Sequence, residues 1–422
     1  MNPFDFFYKS TMMSLKDLLD NSKDRSLSGQ KWHILRQAIT KRLLSNGNST
    51  IAELSSELQS SVPTVTKAVN ELLSEGYVVD LGKISNSGGR RPSLYSINPT
   101  CAYFLGVEVN IARISIGLQN IKNEFVSIEL GTAFTLQNTQ ESLLEFCNLI
   151  NSFIEDSLVE KKMIVGACIN FSGRINSMEG FSYNYFFSEN RPLTEIISEQ
   201  LDLSVRLEND TRAMTFGEYC EGAVDDEQNI VFVNYSWGIG IGMITDGKLY
   251  YGKSGYSGEF GHSPIFDNGI MCQCGKVGCM ETEISGWSLV KQFNAAIKEG
   301  KQSKVVLDDI ALGLQHKAII AGALNFEDPL CVDLITQQSE KMGRYLSILL
   351  NILNPDLLVI GGDFSQLGDY VLLPIQSGLK KYSLGLVNRD MKLKKSTLGR
   401  RAGVIGACCV VKEKMLSPLI NN

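Results

Sequence analysis

The hydrophobic pattern of this chain changes period several times, and each change marks an element. Trp32, Ile34, Leu35, Ile39, Leu43 and Leu44 recur at helical spacing until Asn46-Gly47 stops the run. Thr50-Ile51-Ala52-Glu53 is a capping box that opens a short helix with Ile51, Leu54 and Leu58 facing inward. Ser61 then caps a third helix with Pro63 in its first turn. Val62, Val65, Val69 and Leu72 form its expected buried stripe, and Thr64, Thr66, Lys67 and Asn70 lie on its other faces. Alternating strands are expected at 77–81 and 93–97, with Gly88-Gly89-Arg90-Arg91-Pro92 between them. The pattern is that of a winged helix-turn-helix domain over 29–98, preceded by an arm, 1–28, of unassigned role. Candidate DNA contacts are Ser61, Thr64, Thr66, Lys67 and Asn70 on the third helix. Arg90 and Arg91 join them from a wing whose extended, cationic form suits an A·T minor groove.

Past Asn98-Pro99 the period becomes two. Strands are expected at 103–108, 113–118 and 124–130, then a long amphipathic helix over 140–159 and an apolar, fully buried strand over 163–171. A second pass begins with strands at 230–235, 239–245 and 248–251, and it reaches a buried strand at 357–360 before Gly361-Gly362. A duplicated βββαβα unit predicts two α/β lobes with a cleft between them. The expected division is a small lobe of 102–171 with 403–418, and a large lobe of 172–402.

Chemistry concentrates between Gly258 and Glu281. His262, Cys272, Cys274 and Cys279 form an H-x9-C-x-C-x4-C array in a chain with only two other histidines. One imidazole and three thiolates make a closed structural zinc set, which leaves no open position for catalysis. Glu259 and Glu281 flank the ligands, so the metal would position two carboxylates.

Composition adds less. Residues 1–100 carry 12 Lys+Arg against 9 Asp+Glu, and the remainder 28 against 37, giving +3 and −9 within the total of −6. A mildly basic head on an acidic body suits nucleic acid at one end only. The seven cysteines outside the array sit mostly in apolar segments, as reduced thiols of a cytoplasmic protein do. No apolar run reaches membrane-spanning length, and the first twenty residues lack a signal-peptide pattern, so the expected location is cytoplasmic.

The array, together with Gly258-Glu259-x-Gly261-His262 and the Gly89-Arg90-Arg91-Pro92 wing, resembles the ROK family (repressor, open reading frame, kinase). The likeness is to its sugar-responsive repressors of the xylose and N-acetylglucosamine type. It implies a two-lobed, actin-like (ribonuclease H-like) sugar kinase body behind the winged helix. It also implies sugar recognition by Gly173, Asn209, Asp210, Glu259, His262 and Glu281, where Asp210 matches the kinases' general base. Asp210 also suits a helix N-cap. Kinases of the family place Asp-x-Gly-Gly-Thr at the first phosphate loop and Gly-Thr-Gly-x-Gly at the second. This chain has Glu108-Val109-Asn110-Ile111-Ala112 and Ser236-Trp237-Gly238-Ile239-Gly240. These departures predict no catalytic residue, with Asp210 a vestigial base, and structural Zn2+ as the cofactor. The expected partners are operator DNA, a monosaccharide or sugar-phosphate effector, and further copies of the chain as a homodimer or homotetramer. The rival is an ATP-dependent hexose or N-acetylhexosamine kinase.

Overall fold

Helix α1 (Leu27–Asn46), strand β1 (Ser49–Thr50), α2 (Ile51–Glu57) and α3 (Val62–Ser74) lead into β2 (Val78–Lys83) and β3 (Ser93–Ile97). The structure, a computed structural model, describes residues 15, 18, 27–83, 92–110, 112–186 and 191–420. Arg90, Arg91 and Ile111 lie outside the described residues. The three strands form a sheet ordered β1-β3-β2, the wing of a winged helix. Both halves of the capping box are present: Glu53 N–H donates to the Thr50 hydroxyl and Thr50 N–H to the Glu53 carboxylate. The buried stripe of α3 is Val65, Ala68, Val69 and Leu72. Val62, expected inside, is 54% exposed, because residues 61–64 run out past the helical core into solvent. Ile34 is exposed in the same way on α1.

The body contains two five-stranded sheets. The first, ordered β10-β7-β4-β5-β6, uses β4 (Tyr103–Val109), β5 (Arg113–Asn120), β6 (Phe125–Ala133), β7 (Ile164–Phe171) and β10 (Val205–Asn209). A short hairpin, β8 (Ile175–Asn176) and β9 (Phe181–Ser182), lies between β7 and β10. The second sheet, ordered β13-β12-β11-β14-β15, uses β11 (Ile230–Tyr235), β12 (Ile239–Thr245), β13 (Lys248–Leu249), β14 (Leu357–Gly361) and β15 (Lys392–Lys395). In each, an antiparallel meander is extended by two parallel strands, so the second sheet repeats the topology of the first.

The division after residue 171 does not follow the sheets. β10 pairs in parallel with β7 and so belongs to the first sheet, and the segment before it is the crossover that a parallel pair requires.

Helices cover both faces of each sheet, and the alternation along β7 slips once, at the register shift opposite Tyr103 and Phe104. Leu105, Val107 and Ile169 face α4 (Gln140–Asp156) in an outer core, whereas Phe104, Val165 and Cys168 face inward. In the second sheet Val231, Val233 and Leu358 face an outer core, whereas Ile230, Phe232 and Leu357 face inward. This two-faced burial explains why β7 and β14 read as continuous apolar runs. The inner space holds α6 (Asp210–Glu221) and α12 (Ala402–Ile420), which cross at glycines. A Cβ at Gly406 would lie 1.8 Å from the Ala213 carbonyl oxygen, and one at Gly217 would lie 3.0 Å from that of Ala402. Helix α6 thus packs along the C-terminal helix. No described helix is long and apolar enough to cross a membrane.

Candidate functional site

The four array residues converge. Their ligand atoms all lie within 4.8 Å of one another. Cys272 Sγ is 3.6 Å from His262 Nδ1, and Cys274 Sγ is 3.6 Å from Cys279 Sγ. Tetrahedral zinc with Zn–S bonds of about 2.3 Å sets its sulfurs roughly 3.8 Å apart, so the donors fit that ion. A tight turn brings Cys272 and Cys274 together, with Cys272 N–H donating to the Lys276 carbonyl and Gly275 at φ +83°. The two imidazole nitrogens divide their work: Nδ1 faces the thiols, while Nε2 lies 3.7 Å from a Glu259 oxygen.

Glu281 sits behind the array. One oxygen accepts from Ile239 N–H at 2.7 Å, and the other lies 3.7 Å from His262 Nδ1. A Cβ on Gly238 would stand 2.6 Å from this carboxylate, and one on Gly258 would stand 1.8 Å from the Ile241 carbonyl. Only glycine permits this approach of the loop to β12.

Asn209 and Asp210 stand at the start of α6, with Asp210 within electrostatic range of Glu259. Asn209, not Asp210, is the N-cap: its side-chain oxygen accepts from Arg212 N–H, and its amide donates to the Gly173 carbonyl at 3.0 Å. Asp210 is thereby free of the capping role that its position also suited. The Ser172 hydroxyl donates to Asp210 Oδ2 at 3.0 Å. Burial raises the Asp210 carboxyl, opposed by its bonds from Thr211 and Ser172 and reinforced by Glu259. Burial likewise raises Glu281 against the pull of Ile239 N–H and His262.

The phosphate-loop positions have their own hydrogen bonds. Asn110 Oδ1 accepts from Ala112 N–H at 3.2 Å and Arg113 N–H at 3.0 Å, closing the turn after β4 on itself. Ser236 N–H donates to the Gly238 carbonyl, and the Trp237 ring packs 5.5 Å from that of His316. Beyond it, Asp363 holds His316 Nε2 at 2.9 Å and Lys317 Nζ at 3.1 Å. Burial raises Asp363, but these two partners outweigh it and leave the carboxyl below its ordinary range.

Arg212 escaped the sequence reading. It is 2% exposed, donates from Nε to Glu208 at 2.7 Å, and reaches the Gly255 carbonyl at 2.5 Å and the Ile175 carbonyl at 3.3 Å. It therefore ties α6 to both the hairpin beside Gly173 and the loop before Glu259. The i,i+4 spacing of Glu208 and Arg212 was a legible signal. On the winged domain, Ser61 caps α3 and pairs with Thr64, and the Thr66 hydroxyl donates to the Val62 carbonyl. Lys67 stacks 4.9 Å from the Trp32 ring, and Asn70 is exposed.

Comparison with known proteins agrees with this geometry. A profile described as ROK family matches residues 105–414, and one described as winged helix-turn-helix DNA-binding matches 34–79. A xylose repressor of Caldicellulosiruptor bescii is 28% identical over 90% of this chain and 95% of its own length. The DNA-binding transcriptional dual regulator NagC of Escherichia coli K12 is 26% identical over 92% and 94%. Among solved structures, a ROK family transcriptional regulator described as a homologue of the E. coli Mlc protein superposes with a TM-score of 0.73 at 24% identity, covering 92% of this chain and all of that one.

Proposed function

The chain belongs to the ROK family, and from that premise we propose that it is a sugar-responsive DNA-binding transcriptional regulator that represses genes of carbohydrate metabolism. One observation carries the reading: a single chain joins a winged helix with an exposed third helix to a two-sheet body in which Glu259 and Glu281 flank His262 and Asp210 lies within electrostatic range of Glu259. Carboxylates and a fixed amide are what directional recognition of sugar hydroxyls requires. Gly173 and the outer face of His262 complete the sugar set.

In this reading α3 presents Lys67, Asn70, Ser61, Thr64 and Thr66 to the major groove, and Arg90 and Arg91 enter the minor groove. Zinc held by His262, Cys272, Cys274 and Cys279 is structural: it fixes Glu259 and Glu281 and performs no chemistry. A homodimer or homotetramer sets the spacing of two winged helices. Sugar closing the lobes then shifts that spacing by its preference between the two states. The ATP-dependent hexose or N-acetylhexosamine kinase remains the second reading, favoured by Asp210 alone. Against it stand Asn110, which occupies the first-loop amides, and the bulk of Trp237.

Fluorescence anisotropy with promoter DNA, with and without monosaccharides, tests the proposal. Sugar-dependent change in DNA affinity without ATP turnover is expected. Turnover of ATP with a hexose at ordinary kinase rates would replace this reading with the kinase. Cys272→Ser should lose bound zinc and weaken the sugar response together, measured by metal analysis and anisotropy on the same sample.

A further inference from the structure

Of the Val, Ala and Leu side chains of α3, only Val62 is left exposed. Val65, Ala68, Val69 and Leu72 are fully buried, whereas Val62, the first residue of the helix, is 54% exposed, and Pro63 beside it is exposed too. Both line a shallow surface depression together with Thr66, Lys67, Asn70 and Glu71, on the face of α3 turned away from the helical core. Proline in the first turn has no backbone N–H and fixes the helical φ, so this end of the helix is stiff as well as apolar.

The polar side chains around that tip are engaged within the domain. The Ser61 and Thr64 hydroxyls share a hydrogen bond at 2.7 Å, and the Thr66 hydroxyl donates to the Val62 carbonyl at 2.7 Å. Glu71, more than two turns further along, accepts from Trp32 Nε1–H at 2.8 Å, and Lys67 stacks on the same indole with Nζ 4.9 Å from the ring. What the first turn offers a partner is therefore the isopropyl group of Val62 and the ring of Pro63. In a helix-turn-helix the N-terminal residues of the second helix meet base edges in the major groove. The apolar group displayed on those edges is the C5-methyl of thymine.

Given the proposed DNA-binding role, on which this rests, we infer that Val62 is a specificity-determining residue that reads thymine by contact with its C5-methyl group. Each half-site of the operator then carries thymine where the start of α3 enters the major groove. Burying one methyl group against the isopropyl side chain contributes roughly three- to tenfold in affinity. The contact involves no charge, so this preference persists at salt concentrations that weaken the phosphate contacts.

Selection by the full-length protein from a randomised duplex library supplies the probe. Fluorescence anisotropy then compares the selected duplex with versions in which single thymines are replaced by uracil, which removes the methyl group and keeps the base pair. Replacement at one thymine or more per half-site should weaken binding about three- to tenfold. Val62→Ala should weaken binding of the thymine duplex by a similar factor and reduce the preference for thymine over uracil at that position to below about twofold. Lys67→Ala should lose affinity for both duplexes equally and keep the preference. Wild-type affinity insensitive to uracil at every position overturns the inference and leaves DNA-binding regulation standing. A preference unchanged in Val62→Ala would assign the methyl group to another side chain and overturn it as well. Failure of the library to enrich any duplex overturns the proposed function itself.

Discussion

Glu108 stands near the end of β4 with its carboxylate against Gly403, deep enough that burial pushes the carboxyl from 4.5 up to about 8. Between those values the folded state keeps a proton that the unfolded state has released. Stability therefore falls as pH rises through that window. Glu108→Gln removes the titration, so the variant should gain on the order of a few kcal/mol relative to the parent above about pH 8 and little below about pH 5. Urea denaturation of both proteins across that range measures the difference. Arg212 poses a complementary case. With Glu208 it forms an ion pair in which both side chains are at most 2% exposed. Arg212→Met should cost about 3–5 kcal/mol by stranding the carboxylate, and adding Glu208→Gln should recover a large part of that loss. A double-mutant cycle that comes out additive would show that the pair does not act as a unit.

At the scale of elements, the crossing of α6 and α12 fixes how the two sheets stand to one another. Gly406 admits the backbone of α6 so closely that a single methyl would collide with the Ala213 carbonyl. Alanine is the better helix former by about 1 kcal/mol. Gly406→Ala should nevertheless destabilise the fold, by about 1–3 kcal/mol, because the helices must separate. Gly385→Ala is the control: α11 (Gly385–Asp390) has open space at that position, and no loss of melting temperature is expected. Equal melting temperatures for the two variants would remove the importance assigned to the crossing. The same helix pair carries Asn209 and Asp210 at one end, so a movement that reorients α6 also moves these two side chains.

At the scale of the whole molecule, the acidic body and the more basic first hundred residues separate two kinds of binding. Phosphate contacts on DNA release counterions, whereas uncharged sugar recognition does not. Replacing Arg90 and Arg91 together by alanine should flatten the slope of log affinity against log salt by about 2. Sugar affinity, measured by thermal shift, should stay unchanged in that variant. A normal salt slope would remove the arginines from the DNA contact.

Much of this organisation was legible in the sequence because it is written in local signals. The capping box at Thr50, the stripe of α3, the meanders and the buried central strands are set by residues close in sequence, whose spacing reports which face is covered. The His/Cys array was legible for the same reason, since its four members fall within eighteen consecutive residues. The exposure of Val62 and the membership of β10 in the first sheet were not legible. Both depend on where distant segments end, and periodicity carries no record of that.

The site divides in the same way. The resemblance pointed to Asn209, Asp210, Glu259 and Glu281, whose carboxylate and amide groups keep their hydrogen-bonding character in any fold. Only the tertiary structure decided that Asn209 takes the cap and leaves Asp210 to the cleft. The same holds for Asn110, which closes the first loop on itself, and for Arg212, which joins the two halves of the site. Hydrogen bonds are allocated by distance in space, and a sequence lists the donors and acceptors without saying which will meet.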